Sequence, residues 1–434
     1  MWILEKVFSK VRLLDDQEHC TSYEGIDPIE LAEKLSEIAD IGRTDQGGVS
    51  RFPYTEEEKE AKQRFKEWME DIGLTVYEDA IGNLFGRLEG EHPELPAVLT
   101  GSHLDSVPNG GAFDGPLGCL SSLLAVKALI QTNSRLKRSV EVAVFVDEEG
   151  ARFNNSLFGS RTFMGEVKKE DLKRLKDQQG ISLYDAMVKN GFDPEKISSA
   201  FRDPEEIYAF LELHIEQGKR LETKGKNIGV VNGIAGPVWT SYTFYGETDH
   251  AGNTPMEYRK DTVAAAGEFI TVVEKLPGSY SETAVATVGK MNIFPNGTNV
   301  IAGKTEVMVD ARDIHIEARE QMLQDMKRAA QDIADRRGLE VKVREEVNIP
   351  PVLVPDSIQD AVRSAAEKSG LSTLNIPSGA GHDAMIMGKY VPSGMIFVPS
   401  HRGKSHSPEE WTSLPDCVNG VQVMKEALKQ LANQ

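Results

Sequence analysis

Residues 96–147 read PAVLTGSHLDSVPNGGAFDGPLGCLSSLLAVKALIQTNSRLKRSVEVAVFVD. The opening PAVLTG is short, apolar and β-prone, as a buried strand is. A flexible glycine-rich loop follows, carrying His103, Asp105 and Asp114. The apolar pattern of LGCLSSLLAVKALI then predicts a helix over 115–131, and SVEVAVFVD a second strand over 139–147. Strand, helix, strand implies a right-handed crossover and a parallel sheet. Side chains that do chemistry in such sheets gather at the carboxyl ends of the strands. His103 and the pair Glu148–Glu149 both fall there.

Upstream, residues 55–73 set Ala61, Phe65, Trp68, Met69 and Ile72 on one helical stripe, with Gly73 as a stop. LTVYED (74–79) and NLFGRLEG (83–90) read as strands. Further on the pattern changes to strand 238–247, helix 262–276, strands 282–292 and 304–313, helix 317–338 and strand 339–347. That is a β-α-β-β-α-β unit of ferredoxin-like type. Glycine- and proline-containing stretches bound it, NIGVVNGIAGP before and IPPVLVP after. The chain then returns to a helix at 357–369, short strands and a last helix near 415–432. The expected fold class is therefore α/β. A larger domain (26–232 and 347–434) has a mixed, mostly parallel sheet flanked by helices, and a smaller domain (233–346) is inserted into it. Residues 1–25 form an N-terminal extension with an amphipathic pattern.

A chain of 434 residues has room for two or three domains with proper cores. Its net charge of −19 argues against nucleic acid or an anionic membrane as partner, because both need a basic face. Cys20, Cys119 and Cys417 show no paired spacing, which suggests a reducing compartment and rules out a Cys-x-x-Cys zinc finger. The start, MWILEKVFSKVRLLDDQEHC, makes a poor signal peptide, and no run is apolar enough to span a bilayer. A cytoplasmic protein is the expectation.

Four histidines stand beside acid or glycine in turn-like surroundings: His103, His214, His382 and His406. Imidazoles and carboxylates together are the ligand set of Zn²⁺, Mn²⁺ and similar ions. Asp114 lies across a turn that can fold it back toward His103, although it is also placed to cap the helix that follows. Asp105 is positioned to orient the His103 ring. Glu148 and Glu149 point in different directions, so one can bind metal while the other accepts a proton; a solvated acidic turn is the plainer alternative. His19, His92, His315 and His401 read as ordinary, and Met385 and Met387 as core or pocket wall.

The motifs GSHLDSVPNGGAFDGPLG, DEEGARFNNSLFGSR, LHIEQG, DHAGNTPM, NGTNVI, DARD, SGAGHDA and SHSPEEW occur in that order. Together they resemble the hydantoinase/carbamoylase amidases, a family of N-carbamoyl-L-amino acid hydrolases and allantoate amidohydrolases. These are dinuclear metallohydrolases related to carboxypeptidase G and aminoacylase. The resemblance runs from about residue 26 to the C-terminus.

It implies two divalent ions per subunit (Zn²⁺, or Mn²⁺, Co²⁺ or Ni²⁺). His103, Asp114 and His214 would hold one ion, Glu149 and His406 the other, with Asp114 bridging. Glu148 matches the general base, and Asp105, through its hold on His103, counts with it among the catalytic residues. His250 matches a histidine that reaches across a dimer interface to the partner's site. From the residues alone His250 reads equally well as a turn histidine capping a helix. Gln217, Asn299, Arg312 and Gly381 match substrate-binding positions, with an ion pair to Asp310 or Asp313 as the alternative for Arg312.

The implied partners are a small ureido substrate bearing a carboxylate and a second copy of the chain, joined through the inserted lid domain. The implied reaction cleaves the carbamoyl C–N bond of an N-carbamoyl-L-amino acid, releasing the amino acid, CO₂ and ammonia. Allantoate hydrolysis and a dipeptidase or aminoacylase activity are the alternatives. GIAGPVW leans toward a carbamoylase; SGAGHDA and RKDT lean toward an allantoate enzyme.

Overall fold

The computed structural model describes residues 8–434. The expected N-terminal extension therefore lies partly outside the described residues; its described part includes helix α1 (Lys10–Leu14). The chain divides into two compact units. The larger takes the described residues up to Asn232, then Val354–Ile376 and His382–Gln434; the smaller takes Gly233–Leu353 and Pro377–Gly381.

In the larger unit, helix α2 (Pro28–Asp40) is started by Asp27, whose side chain accepts from the Ile29 amide, with Pro28 at the first helical position. Helix α3 (Glu56–Asp71) is capped by Thr55 and buries Ala61, Phe65, Trp68 and Met69 along the expected stripe. Strands β1 (Thr75–Glu78) and β2 (Leu84–Leu88) pair antiparallel.

Strand β3 (Ala97–His103), helix α4 (Pro116–Gln131) and strand β4 (Val140–Phe145) make the parallel crossover read from residues 96–147. Helix α4 is buried on nearly all sides, which accounts for its mostly apolar sequence. Strands β5 (Ile207–Ile215) and β6 (Ile228–Ile234) follow, and the later strand Ser393–Val398 joins them. The order is β1-β2-β4-β3-β5, then Ser393–Val398, then β6. The central pairs β4–β3, β3–β5 and β5 with Ser393–Val398 are parallel, and the flanking pairs antiparallel. The sheet is thus mixed with a parallel centre.

The smaller unit runs strand β7 (Gly236–Tyr245), helix Thr262–Lys275, strands Val285–Phe294 and Lys304–Asp313, helix Ile316–Arg337 and strand Glu340–Asn348. Its four-stranded antiparallel sheet has the order Glu340–Asn348, β7, Lys304–Asp313, Val285–Phe294. Val238, Tyr242, Phe244, Val307, Val309 and Ala311 alternate onto one face and pack with Phe269, Met322, Met326 and Ile333 of the helices. Each large side chain buried this way is worth about 1.5–3 kcal/mol. The same alternation places Asp310 and Arg312 together on the opposite face.

Two expectations are corrected. His103 is the last residue of β3, not a loop residue. The loop after it is not slack: Leu104, Asp105, Ser106, Ala112, Phe113 and Asp114 are buried. Arg51, itself buried, donates to the carbonyls of Leu104 (2.5 Å), Ile38 (2.7 Å) and Ile41 (2.8 Å), fixing the loop's first turn.

Candidate metal centre

The carboxyl ends of β3, β4 and β5 meet at one point, each delivering a different group. His103 ends β3 and His214 lies near the end of β5; both side chains are 1% exposed. Their ring centroids lie 6.1 Å apart. Asp114 sits just before α4, whose N-cap is Gly115 with no side-chain cap, so Asp114 is not spent on the helix. Gly115 has φ +83°, and a Cβ there would lie 2.4 Å from His103 Cε1. Only glycine lets the backbone turn this close to the imidazole.

Asp114 has one oxygen for each of two groups. Its Oδ1 is 3.1 Å from His214 Nε2 and 3.7 Å from His103 Nε2. Its Oδ2 is 3.3 Å from His406 Nε2, which is 3.7 Å from Glu149 Oε1. His103, Asp114 and His214 each offer a ligand atom within 4.8 Å of the others, and so do Asp114, Glu149 and His406.

The tautomers test the fit to a cation. His103 Nδ1 lies 3.1 Å from the Asp105 carbonyl and His214 Nδ1 3.0 Å from the Ile215 carbonyl. Each Nδ1–H donates there, which leaves Nε2 with a bare lone pair aimed at Asp114. His214 Nε2 is buried and, despite its 3.1 Å approach to Asp114, lacks hydrogen-bond geometry. A lone pair facing a carboxylate in a buried site calls for a cation between them, and the imidazole–carboxylate donor set suits a divalent metal. Asp105 also works through its carboxylate, which accepts the amides of Glu148 and Glu149 at 3.1 Å each. It thereby fixes where both glutamates start.

A proton can take the place of that cation, and the surrounding acids favour it. Burial opposes a positive His103, yet Glu148, Asp105 and Glu149 hold its pKa well above the ordinary imidazole value. Burial likewise opposes charge on His214, and Asp114 outweighs it. Burial would raise Asp114, but His214, His406 and His103 hold it well below the carboxylate range. Burial raises Glu148 well above its usual value, with His103 opposing and Glu149 adding to the rise. Burial and Asp114 push Glu149 up to about 7, and burial and Glu212 push Asp383 up to about 8.

These raised carboxyls bind protons more tightly folded than unfolded. Their contribution is complete below the ordinary carboxylate pKa and is lost as pH rises toward 7–8. The raised histidines lose theirs in the same direction, while His382, lowered well below its usual value by burial and by His214, works the other way. Chelated protein is expected to melt at a lower temperature at about pH 8 than at about pH 5.5 in scanning calorimetry, and added divalent metal to remove most of the difference. Equal melting temperatures would contradict this charge balance.

Gln217 is at the same place. Its Nε2 donates to Asp114 Oδ2 at 2.6 Å and lies 3.3 Å from His406 Nε2. Asp147, Gln217 and His406 all hold positive φ, 57°, 53° and 54°, in residues other than glycine. Such strain collects where geometry serves a site.

The remaining expected residues lie in the smaller unit. His250 is exposed, and its Nδ1 accepts from the amides of Gly252 (3.0 Å) and Asn253 (3.2 Å), so Nε2 carries the proton. Asn299 accepts the Ala251 amide through its carbonyl at 3.0 Å, and the strand containing His250 pairs with Val300–Ile301. Arg312 is gripped by Asp310, Nε to Oδ1 at 3.0 Å and Nη2 to Oδ2 at 2.8 Å, while Nη1 donates to the Gly379 carbonyl at 2.7 Å. Gly381 is exposed in the following turn.

Sequence reasoning passed over two contributors, Glu410 and Glu212, and gave His382 and Asp383 no defined role. Glu410 lies in SHSPEEW, one residue short of Trp411, and binds the glycine-rich loop. Glu212 precedes His214 by two in LELH and accepts from Ser102 Oγ (2.7 Å) and the Ala384 amide (2.9 Å). The charged residue two before His214, on an otherwise apolar strand, was the available signal. His382 is buried with its ring 4.4 Å from that of His214, and both Asp383 oxygens are buried without a hydrogen-bond partner.

Comparison with known proteins agrees with this geometry. The profile of peptidase family M20/M25/M40 matches residues 99–430. The chain is 41% identical over 402 residues to the N-carbamoyl-L-amino acid amidohydrolase of Geobacillus stearothermophilus, covering 93% of this chain and 98% of that one. It is 37% identical over 402 residues to the allantoate amidohydrolase of Bacillus subtilis strain 168, with 93% and 97% covered. A crystal structure of a hydantoinase/carbamoylase family amidase from Burkholderia multivorans superposes with TM-score 0.89 at 34% identity, covering 94% of this chain and 98% of that one. The chain belongs to peptidase family M20/M25/M40 and, within it, to the hydantoinase/carbamoylase amidases, hydrolases of C–N bonds.

Proposed function

We propose that this protein hydrolyses the ureido C–N bond of N-carbamoyl-L-amino acids, with two divalent ions sharing Asp114. One observation carries the reading: the two Asp114 oxygens face different ligand groups, His103 with His214 and Glu149 with His406. Bound there, such ions lower the pKa of a water molecule and polarise the carbonyl under attack.

Glu148 lies outside both ligand groups, and its Oε2 is 3.8 Å from His103 Nε2. It takes the proton of the attacking water, shelters it in buried surroundings and delivers it to the leaving nitrogen. The water oxygen bonds to the ureido carbon, the C–N bond to the amino acid breaks, and the released carbamate decomposes to CO₂ and ammonia.

The smaller unit acts as lid and dimerisation unit. His250 offers its Nε2–H to the developing oxyanion in the partner's site, a role supported by its fixed tautomer. Three of the five Arg312 N–H donors are engaged within the unit, which leaves two for the substrate carboxylate. Asn299, Gly381 and Gln217 complete the substrate contacts. The sparse, unpaired cysteines suit a reducing cytoplasm.

Allantoate is the second substrate reading, favoured by the Bacillus relative. Metal-reconstituted protein is expected to release ammonia from N-carbamoyl-L-methionine with kcat/KM at least about tenfold above that for allantoate, and to leave a dipeptide nearly untouched. A faster rate on allantoate or on the dipeptide overturns the assignment.

A further inference from the structure

Glu410 is 1% exposed and follows His406 by four residues. Its Oε1 accepts the amide protons of Phe113 (2.8 Å) and Asp114 (3.0 Å). Its Oε2 accepts from Ser405 Oγ at 2.7 Å. Ser405 Oγ is also 2.7 Å from Asp114 Oδ2, so one hydroxyl, with a single proton to give to either, stands between the two carboxylates. The glycine-rich loop lies flat on the Glu410 carboxyl: a Cβ at Gly111 would come within 2.0 Å of it. Each of these contacts lies on one of two segments. One, 111–114, carries the shared ligand Asp114; the other, 405–406, carries His406.

We propose that Glu410 is a positioning residue of the metal centre, a buried clip that sets the distance between Asp114 and His406. The role rests on the reading of the two ligand groups as metal sites. Glu410 touches neither ion nor substrate. It acts by holding the Asp114 backbone from one side while Ser405, bonded to it, holds Asp114 Oδ2 and precedes His406. A clip of this kind depends on reach more than on charge. Gln keeps the reach: its carbonyl oxygen accepts both amides, and its NH₂ donates to Ser405 Oγ, whose own proton goes to Asp114. Asp keeps the charge but is one methylene too short to meet the two amides and Ser405 together.

The test is Co²⁺ binding to the full chain and to its Glu410→Gln, Glu410→Asp and Glu410→Ala variants, followed by calorimetric titration and by the visible absorption of bound Co²⁺. The wild-type chain and Glu410→Gln are expected to bind two ions with the same spectrum. Glu410→Asp is expected to bind the weaker ion at least about tenfold less tightly, with an altered spectrum, as lost support of a ligand typically does. Glu410→Ala should match or exceed that loss; if it fails to fold, the contrast between Gln and Asp still decides. Unchanged binding and spectrum in Glu410→Asp overturn the clip and leave the metal centre standing, and so does loss in Glu410→Gln with retention in Glu410→Asp. A wild-type chain that binds no ion overturns both.

Discussion

Glu148→Gln is expected to lower kcat by about 10³-fold while bound metal stays at the wild-type level. The exchange is nearly isosteric and leaves the Glu148 backbone amide on Asp105 Oδ1, so the residue keeps its place. Its carboxylate belongs to neither ligand group, so the ligands are undisturbed. What the amide lacks is the ability to take up and return a proton. In the wild-type chain burial raises the Glu148 pKa, and the charges of Glu149, Asp383 and Asp105 add to the rise against the pull of His103. That is the condition for a carboxylate able to keep a proton between two steps. Steady-state ammonia release, together with metal content by plasma emission, checks the outcome. Full metal with full turnover would assign the base elsewhere.

Asp114→Asn should cost as much, by a different route. An amide has one oxygen and one NH₂, so one of the two ligand groups loses its acceptor whichever way the side chain turns. If the NH₂ replaces Oδ2, it meets the donor Gln217 Nε2, now at 2.6 Å. If it replaces Oδ1, it faces His103 and His214. The shared negative charge is lost in either case. Metal content is expected to fall below that of the wild-type chain by at least one ion, and kcat/KM by about 10³-fold or more. Normal metal content in Asp114→Asn would show that Asp114 is not shared.

The fold was legible where patterns are long. The crossover at 96–147, the alternating strands of the smaller unit and its two long helices were all read within a few residues of their observed limits. The stretch 151–206 was not, because it folds as short pieces such as Phe158–Phe163, Lys169–Arg174 and Leu183–Lys189. These are too brief to show a helical period. They hold together through a local cluster of Tyr54, Ile81, Phe153, Phe158, Leu172, Leu183 and Met187, drawn from distant parts of the chain.

In the site, residues with a distinctive neighbourhood stood out, as His103, Asp114, Glu149, His214 and His406 did. Supporting groups such as Arg51, Glu212 and Glu410 did not. Their importance lies in which backbone amides and carbonyls they reach, and that depends on tertiary proximity between segments as far apart as 113 and 410. The glycines of 110–115 had suggested slack. In the structure they allow close approach, Gly111 to Glu410 and Gly115 to His103.

The central claim is that Asp114 is shared by two ions. Anomalous diffraction from crystals grown with Zn²⁺ tests it most directly. Two peaks about 3.5–4 Å apart are expected, one beside His103 and His214, the other beside Glu149 and His406, with Asp114 reaching both. A single peak, or none within coordination distance of Asp114, would contradict it.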